Sequence, residues 1–75
     1  MQLNPVPPEE LNYEQALAEL EAILEALEGG QHPLEETLAL FARGQELSLR
    51  CAALLDQAEL RIEQLESRGG NSSAA

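Results

Sequence analysis

The sequence predicts an all-α fold: an antiparallel hairpin of one short and one long helix that oligomerises or packs on a partner as a helical bundle. Three observations carry this. Apolar residues recur every three or four positions in two stretches, about 13–28 and about 34–66. Gly29-Gly30-Gln31-His32-Pro33 separates them with helix-breaking residues. The stretches are unequal, spanning about 24 Å and about 50 Å at helical rise, so the short one covers only about half of the long one.

Residues 1–11 contain Pro5, Pro7 and Pro8 and read as a flexible head, although Pro8 is suited to open an extra helical turn through Glu9 and Glu10. Asn12 is a good N-cap, and Gln15 three positions on completes a capping box. Tyr13, Leu17, Leu20, Leu24 and Leu27 form the apolar stripe of the first helix, widened by Ala16 and Ile23. Gly29 occupies the position where a left-handed residue ends a helix. Pro33 suits the first position of the second helix, and Glu35 and Glu36 favour its positive N-terminal dipole. The second stripe runs through Leu34, Leu38, Phe41, Gly44, Ser48, Ala52, Leu55, Ala58, Ile62 and Leu65, close to a heptad seam. Leu40, Leu47 and Leu54 form another row, spaced by seven, which widens the apolar surface beyond what one neighbouring helix covers. Residues 67–75 read as a flexible tail after the hairpin domain of residues 12–66.

The hairpin register places Leu27 near Leu34, Leu20 near Phe41 and Tyr13 near Ser48. The expected core is therefore Tyr13, Leu17, Leu20, Leu24, Leu27, Leu34, Leu38, Phe41 and Gly44. Gly44 costs about 1 kcal/mol relative to alanine inside a helix, and its place on the apolar row points to a close approach that leaves room for Leu17 and the Tyr13 ring. Beyond the short helix, Leu54, Leu55, Ala58, Ile62 and Leu65 have no cover. The four large ones represent on the order of 6–12 kcal/mol of gross burial free energy. Apolar surface of that extent marks a protein contact, so these five residues are the expected site of docking or self-assembly.

Composition agrees. Seventy-five residues make at most one small domain, for which a partner commonly supplies missing stability. The single cysteine excludes an internal disulfide and fits a reducing cytoplasm. Residues 1–10 show no secretory signal, and no apolar run is long enough to cross a membrane. Fourteen acidic residues face four arginines and no lysine, for a net charge of −10. Such a chain is not expected to bind nucleic acid directly when alone, nor an anionic membrane.

Catalytic constellations are missing. His32 lies in the connection without a second group to act with. Cys51 at the edge of an apolar face reads as a small buried hydrophobe. Glu21 with Glu25, and Glu59 with Glu63, share helix faces, but a metal-dependent hydrolase needs carboxylates converging from several elements. No phosphate-cradling loop and no nucleophile–base arrangement are present. The expectation is no catalytic residue, no metal and no cofactor. Arg43 and Arg50, like Arg61 and Arg68, are seven apart, and support of the helix surface is their preferred role.

The segment Tyr13-Glu14-Gln15-Ala16-Leu17-Ala18-Glu19-Leu20-Glu21-Ala22-Ile23-Leu24 resembles the opening of the bacterial exodeoxyribonuclease VII small-subunit family. Pro33-Leu34-Glu35-Glu36-Thr37-Leu38-Ala39-Leu40-Phe41-Ala42-Arg43-Gly44 after a glycine-containing turn is the more specific part of that likeness. The likeness extends to Leu65. Gln15, Ala42 and His32 depart from the expected acids and leucine, at surface or loop positions. The resemblance implies a non-catalytic subunit of a cytoplasmic nuclease that degrades single-stranded DNA from both ends into oligonucleotides without an added divalent metal. It implies that the nuclease site belongs to the large subunit, and that several small subunits pack on a helical part of it. The alternative from the residues alone is a self-associating helical adaptor unrelated to a nuclease.

Overall fold

A computed structural model describes the backbone of residues 6–74 and the side chains of residues 6–67. A 3-10 turn, Pro8–Glu10, precedes two α-helices, α1 (Tyr13–Gly29) and α2 (Leu34–Ala74), which fold back on one another. The result is a rod of 62 × 22 × 14 Å. Its radius of gyration is 17.6 Å, against roughly 11 Å for a globular chain of this length.

The start of α1 is fixed by the capping box. The Gln15 backbone N–H donates to Asn12 Oδ1 at 2.8 Å, and the Asn12 N–H donates to Gln15 Oε1 at 3.0 Å. The helix closes one residue later than expected. Gly29 remains helical, and Gly30 takes the left-handed conformation (φ 63°) that glycine alone adopts freely. His32 ties the connection to both helices: its Nε2 lies 3.1 Å from the Ala26 carbonyl and its Nδ1 3.3 Å from Glu36 Oε1. The Thr37 N–H donates to the Pro33 carbonyl, so Pro33 immediately precedes α2. Helical backbone continues past Glu66 to Ala74, through most of the expected tail. Elongation of an existing helix adds one hydrogen bond per residue, which opposes the glycine cost at Gly69 and Gly70.

Within the expected head, the turn that Pro8 is suited to open forms over Pro8–Glu10, and residues 6–11 lie against the hairpin. Pro8 and Leu11 are buried, and Val6 packs against the core. Residues 1–5 lie outside the described residues. The turn that Pro8 opens directs Leu11 inward.

The core consists of Leu11, Ala16, Ile23, Leu40, Leu47 and Cys51, with Tyr13, Leu17, Leu20 and Leu27 packed partly against it. This changes the expected face of α2. Phe41 is 55% exposed, Leu38 59% and Leu34 72%, and on α1 Leu24 is 49% exposed. These four are not hairpin core. The seam turned toward α1 is Leu40, Arg43, Leu47, Arg50 and Leu54, alternating three and four apart. Two arginines interrupt its apolar character, and each meets a partner that permits burial. Arg43 Nε and Nη2 donate to Glu19 Oε2 and Oε1 at 2.6 and 2.9 Å. Arg50 Nε donates to the Leu11 carbonyl at 3.1 Å. The axial register remains close to expectation, with Arg43 beside Glu19 and Arg50 beside Leu11, but α2 is rotated about its axis.

Gly44 is the buried small position, though its neighbours are not Leu17 and Tyr13. A Cβ there would lie 3.4 Å from Ile23 Cγ2 and 3.8 Å from Leu20 Cδ1. One methyl group fits this space and a branched side chain does not. Gly44→Ala is expected to raise stability by up to about 1 kcal/mol through helix propensity, whereas Gly44→Leu is expected to lower it by about 1–3 kcal/mol through overpacking. Urea titration followed by circular dichroism measures both, and equal midpoints for the two variants would remove the close-approach explanation.

Candidate docking surface

The shape of α2 dictates where this rod is incomplete. Its core-facing seam runs on beyond the start of α1, where no described residue covers it. Leu54 is half-buried at the step, and every described side chain from Leu55 to Ser67 is exposed. Tyr13 borders a shallow notch at this step together with Leu54, Ala58 and Arg61. Of the five residues expected to dock or self-assemble, Leu55, Ala58, Ile62 and Leu65 are thus in solvent, with Leu54 at the margin. Leu60, 56% exposed, also lines this notch, whereas Leu49, 73% exposed, stands on another side of α2.

A second apolar area lies beside the hairpin rather than beyond it. Leu20, Leu24 and Leu27 of α1 and Phe41 of α2 form the walls of a groove, with Ile23 and Gly44 at its base. Its rim on α2 is Gln45 and Ser48. The residues expected to be core but found outside it are here: Leu24 and Phe41 line the groove, and Leu34 and Leu38 lie one turn or two N-terminal to Phe41 on α2.

Electrostatics separates the two sides of α2. Arg43 is drawn to the inside, where its hydrogen bonds to Glu19 hold its pKa above the ordinary value; burial opposes this, and the charges of Glu19, Glu46 and Glu9 add to it. The Arg43 and Glu19 side chains are both mostly sheltered. Sequence reasoning treated Arg43 and Arg50 as surface support and did not find these contacts. The signal was available in their spacing, because Arg43 and Arg50 fall between Leu40, Leu47 and Leu54 at seam positions.

Among the described residues, no group of three or more His, Cys, Asp or Glu side chains is placed to hold a metal ion. Cys51 is buried and forms no disulfide. Among the described residues no helix is long and apolar enough to cross a membrane. The surface offers shape and apolar area for packing.

Comparison with known proteins finds relatives of this chain. A family model described as exonuclease VII small subunit matches residues 13–64. An exodeoxyribonuclease 7 small subunit of Symbiobacterium thermophilum is 50% identical over 62 residues, 83% of this chain and 84% of that protein. Similar proteins of the same name occur in Rhodopseudomonas palustris, 44% identical over 81% of this chain and 74% of the relative, and in Phenylobacterium zucineum, 42% identical over 87% and 81%. No solved structure matches.

Proposed function

Because the chain belongs to the exonuclease VII small-subunit family, we propose that it is the non-catalytic small subunit of exodeoxyribonuclease VII, a DNA exonuclease in which it forms a complex with the large subunit. The observation that carries this reading is the extent of the family match, residues 13–64. It spans all of α1 and follows α2 as far as Gln64, past the step at Leu54. The role is structural. Leu54, Leu55, Ala58, Ile62 and Leu65 dock on the large subunit, and the hairpin stiffens the element it covers. The large subunit carries the chemistry, degrading single-stranded DNA from both ends into oligonucleotides. Additional copies of the small subunit join the same assembly, and the complex works in the cytoplasm. With ten net negative charges, the small subunit alone does not hold DNA.

Co-expression with the cognate large subunit tests this. The full chain is expected to co-purify with a larger, DNA-degrading polypeptide, and mass measurement of the complex gives the copy number. Leu55→Glu combined with Ile62→Glu places two charges in the docking surface, and burying an unpaired charge is prohibitive. Assembly is expected to be lost while helicity persists, because both side chains are exposed in the free chain. Retained assembly would show that another surface docks.

A further inference from the structure

Leu40, Arg43, Leu47 and Arg50 of α2 are spaced three, four and three residues apart. Ala58, Arg61, Leu65 and Arg68 repeat that spacing eighteen residues later, on a continuous helical backbone. Eighteen residues make about five turns, so the second set returns to the same side of α2, about 27 Å farther along. The first set is the side on which α1 lies: Leu40 and Leu47 are wholly buried, Arg43 holds Glu19 and Arg50 holds the Leu11 carbonyl. Of the second set, Ala58, Arg61 and Leu65 are exposed. Arg61 also stands apart from the acids of its own helix. The residues three and four positions away, which share its face, are Gln57, Ala58, Gln64 and Leu65. The first three line the notch with it, and among the described residues no acid does.

Carboxylates that fit this edge are carried on the outside of α1. Glu14, Ala18, Glu21, Glu25 and Glu28 are spaced four, three, four and three apart, and all are exposed. Glu14, Glu21 and Glu28 keep the seven-residue interval of Arg61 and Arg68, about 10.5 Å on a helix, so the two rows match in period. α1 contains no basic residue. Within one chain Glu21 is out of reach of Arg61: Arg43 lies beside Glu19, and position 61 is about 27 Å along α2 from position 43. Glu21 and Arg61 therefore meet only between copies. Gln57, Arg61 and Gln64 form one edge of the overhang, and Leu55 and Ile62 lie on the other. A copy on the first edge leaves the second to the large subunit.

Resting on the reading that additional copies join one assembly, we infer that the Arg61 edge of one small subunit receives the acidic outer row of α1 of the next, with Glu21 against Arg61 and the Gln57 and Gln64 amides donating to adjoining carboxylates. The contact is head-to-tail. Each copy offers an acidic row on its hairpin and an arginine edge on its overhang, so the same contact adds copy after copy in one direction. Exposed ion pairs are individually weak. Copies held side by side on the large subunit meet at high effective concentration, where a weak contact suffices to set their spacing and number.

The chain contains no lysine, which makes the contact readable. Arg61→Lys keeps the charge and supplies the one lysine amine, which carbodiimide joins to a carboxylate in direct contact. In the complex of the full chain with its cognate large subunit, a link between position 61 of one small subunit and position 21 of another is expected. Arg61→Glu is expected to lower the number of small subunits per large subunit by about twofold or more, and Glu21→Arg to do the same. The two changes in one chain restore opposite charge across the contact and are expected to restore the number. Mass measurement of each complex gives it. Both residues are exposed, so the hairpin tolerates the changes, which circular dichroism checks. An unchanged number in both single variants, with no link from 61 to 21, would overturn the contact and leave the proposed function intact. Coupling of position 61 to the large subunit instead would overturn it in favour of that partner. Loss of single-stranded DNA retention by the Arg61→Glu complex at an unchanged number would overturn it in favour of phosphates. If the wild-type chain captures no large subunit, the proposed function fails and the contact with it.

Discussion

Leu47→Ala is expected to destabilise the free hairpin by about 3 kcal/mol, the usual cost of a cavity at a wholly buried leucine. Leu47 has no exposed surface and belongs to the same cluster as Leu40, Ile23 and Ala16. Few other side chains are fully buried, so the neighbours have little means of closing the space. Domains of this size have a total stability of only several kcal/mol. The melting temperature is therefore expected to fall by about 12–24 °C. Leu49→Ala is the matched control: the same atoms are removed from a side chain that is 73% exposed, with an expected change within about 0.5 kcal/mol. Thermal melts of the two variants by circular dichroism make the comparison, and equal melting temperatures would place Leu47 outside the core. In complex with the large subunit the difference should shrink, since a partner that binds only the folded hairpin adds stability by mass action.

The elements of this fold were legible because each has a local cause. The Asn12–Gln15 capping box, the glycine pair and Pro33 set the boundaries of α1 and the start of α2 to within a residue. Local chemistry does not set the rotation of α2 about its axis. Two rows on that helix compete for α1, and the more apolar one, with Leu34, Leu38 and Phe41, looks like the better core. The structure buries the other, in which Leu40, Leu47 and Leu54 alternate with Arg43 and Arg50. Periodicity counted the arginines as polar breaks, but Glu19 and the Leu11 carbonyl satisfy them from across the interface. That pairing depends on residues 24 and 39 positions away, which no local window connects. Leu11 escaped notice for a related reason. It stands among prolines and acids, and only the 3-10 turn at Pro8–Glu10 brings it inward.

The error has a functional corollary. A row of Leu34, Phe41, Leu55 and Ile62 apolar enough to pass for a core, yet left in water, matches the character of a surface that is a core only in the assembled complex. The overhang carries the same message at Leu65. For the candidate site, the distal residues could be named from length alone, because no folding of a 17-residue α1 can reach them. The groove beside the hairpin has no local signature, since it depends on which of the two rows α1 takes.

Removing either member of the Arg43–Glu19 pair should be the most disruptive polar change. Glu19→Leu withdraws both short hydrogen bonds from a guanidinium in a residue that is 9% exposed, and a buried charge left without its partner costs about 3 kcal/mol. Arg43→Met leaves the Glu19 carboxylate in the corresponding position. Replacing both, as Glu19→Leu with Arg43→Met, removes the charges together with their desolvation cost and is expected to recover to within about 1 kcal/mol of the native chain. Arg43→Lys should recover less, because an ammonium cannot reproduce the two-pronged fork. The contribution of Arg43 is not expected to change with pH in the ordinary range. Its raised pKa means the cation is favoured in the folded state, so its stabilisation would be lost only as pH rises through a value above that of free arginine. Urea denaturation of the four chains in this cycle gives the coupling between the side chains. Strong coupling means that the pair fixes the rotation of α2 against α1 by making this row, and not the more apolar one, the face on which Glu19 can be neutralised. Additive single losses would show instead that each side chain stabilises its own helix, and the choice between the two rows would then rest on Leu40 and Leu47 alone.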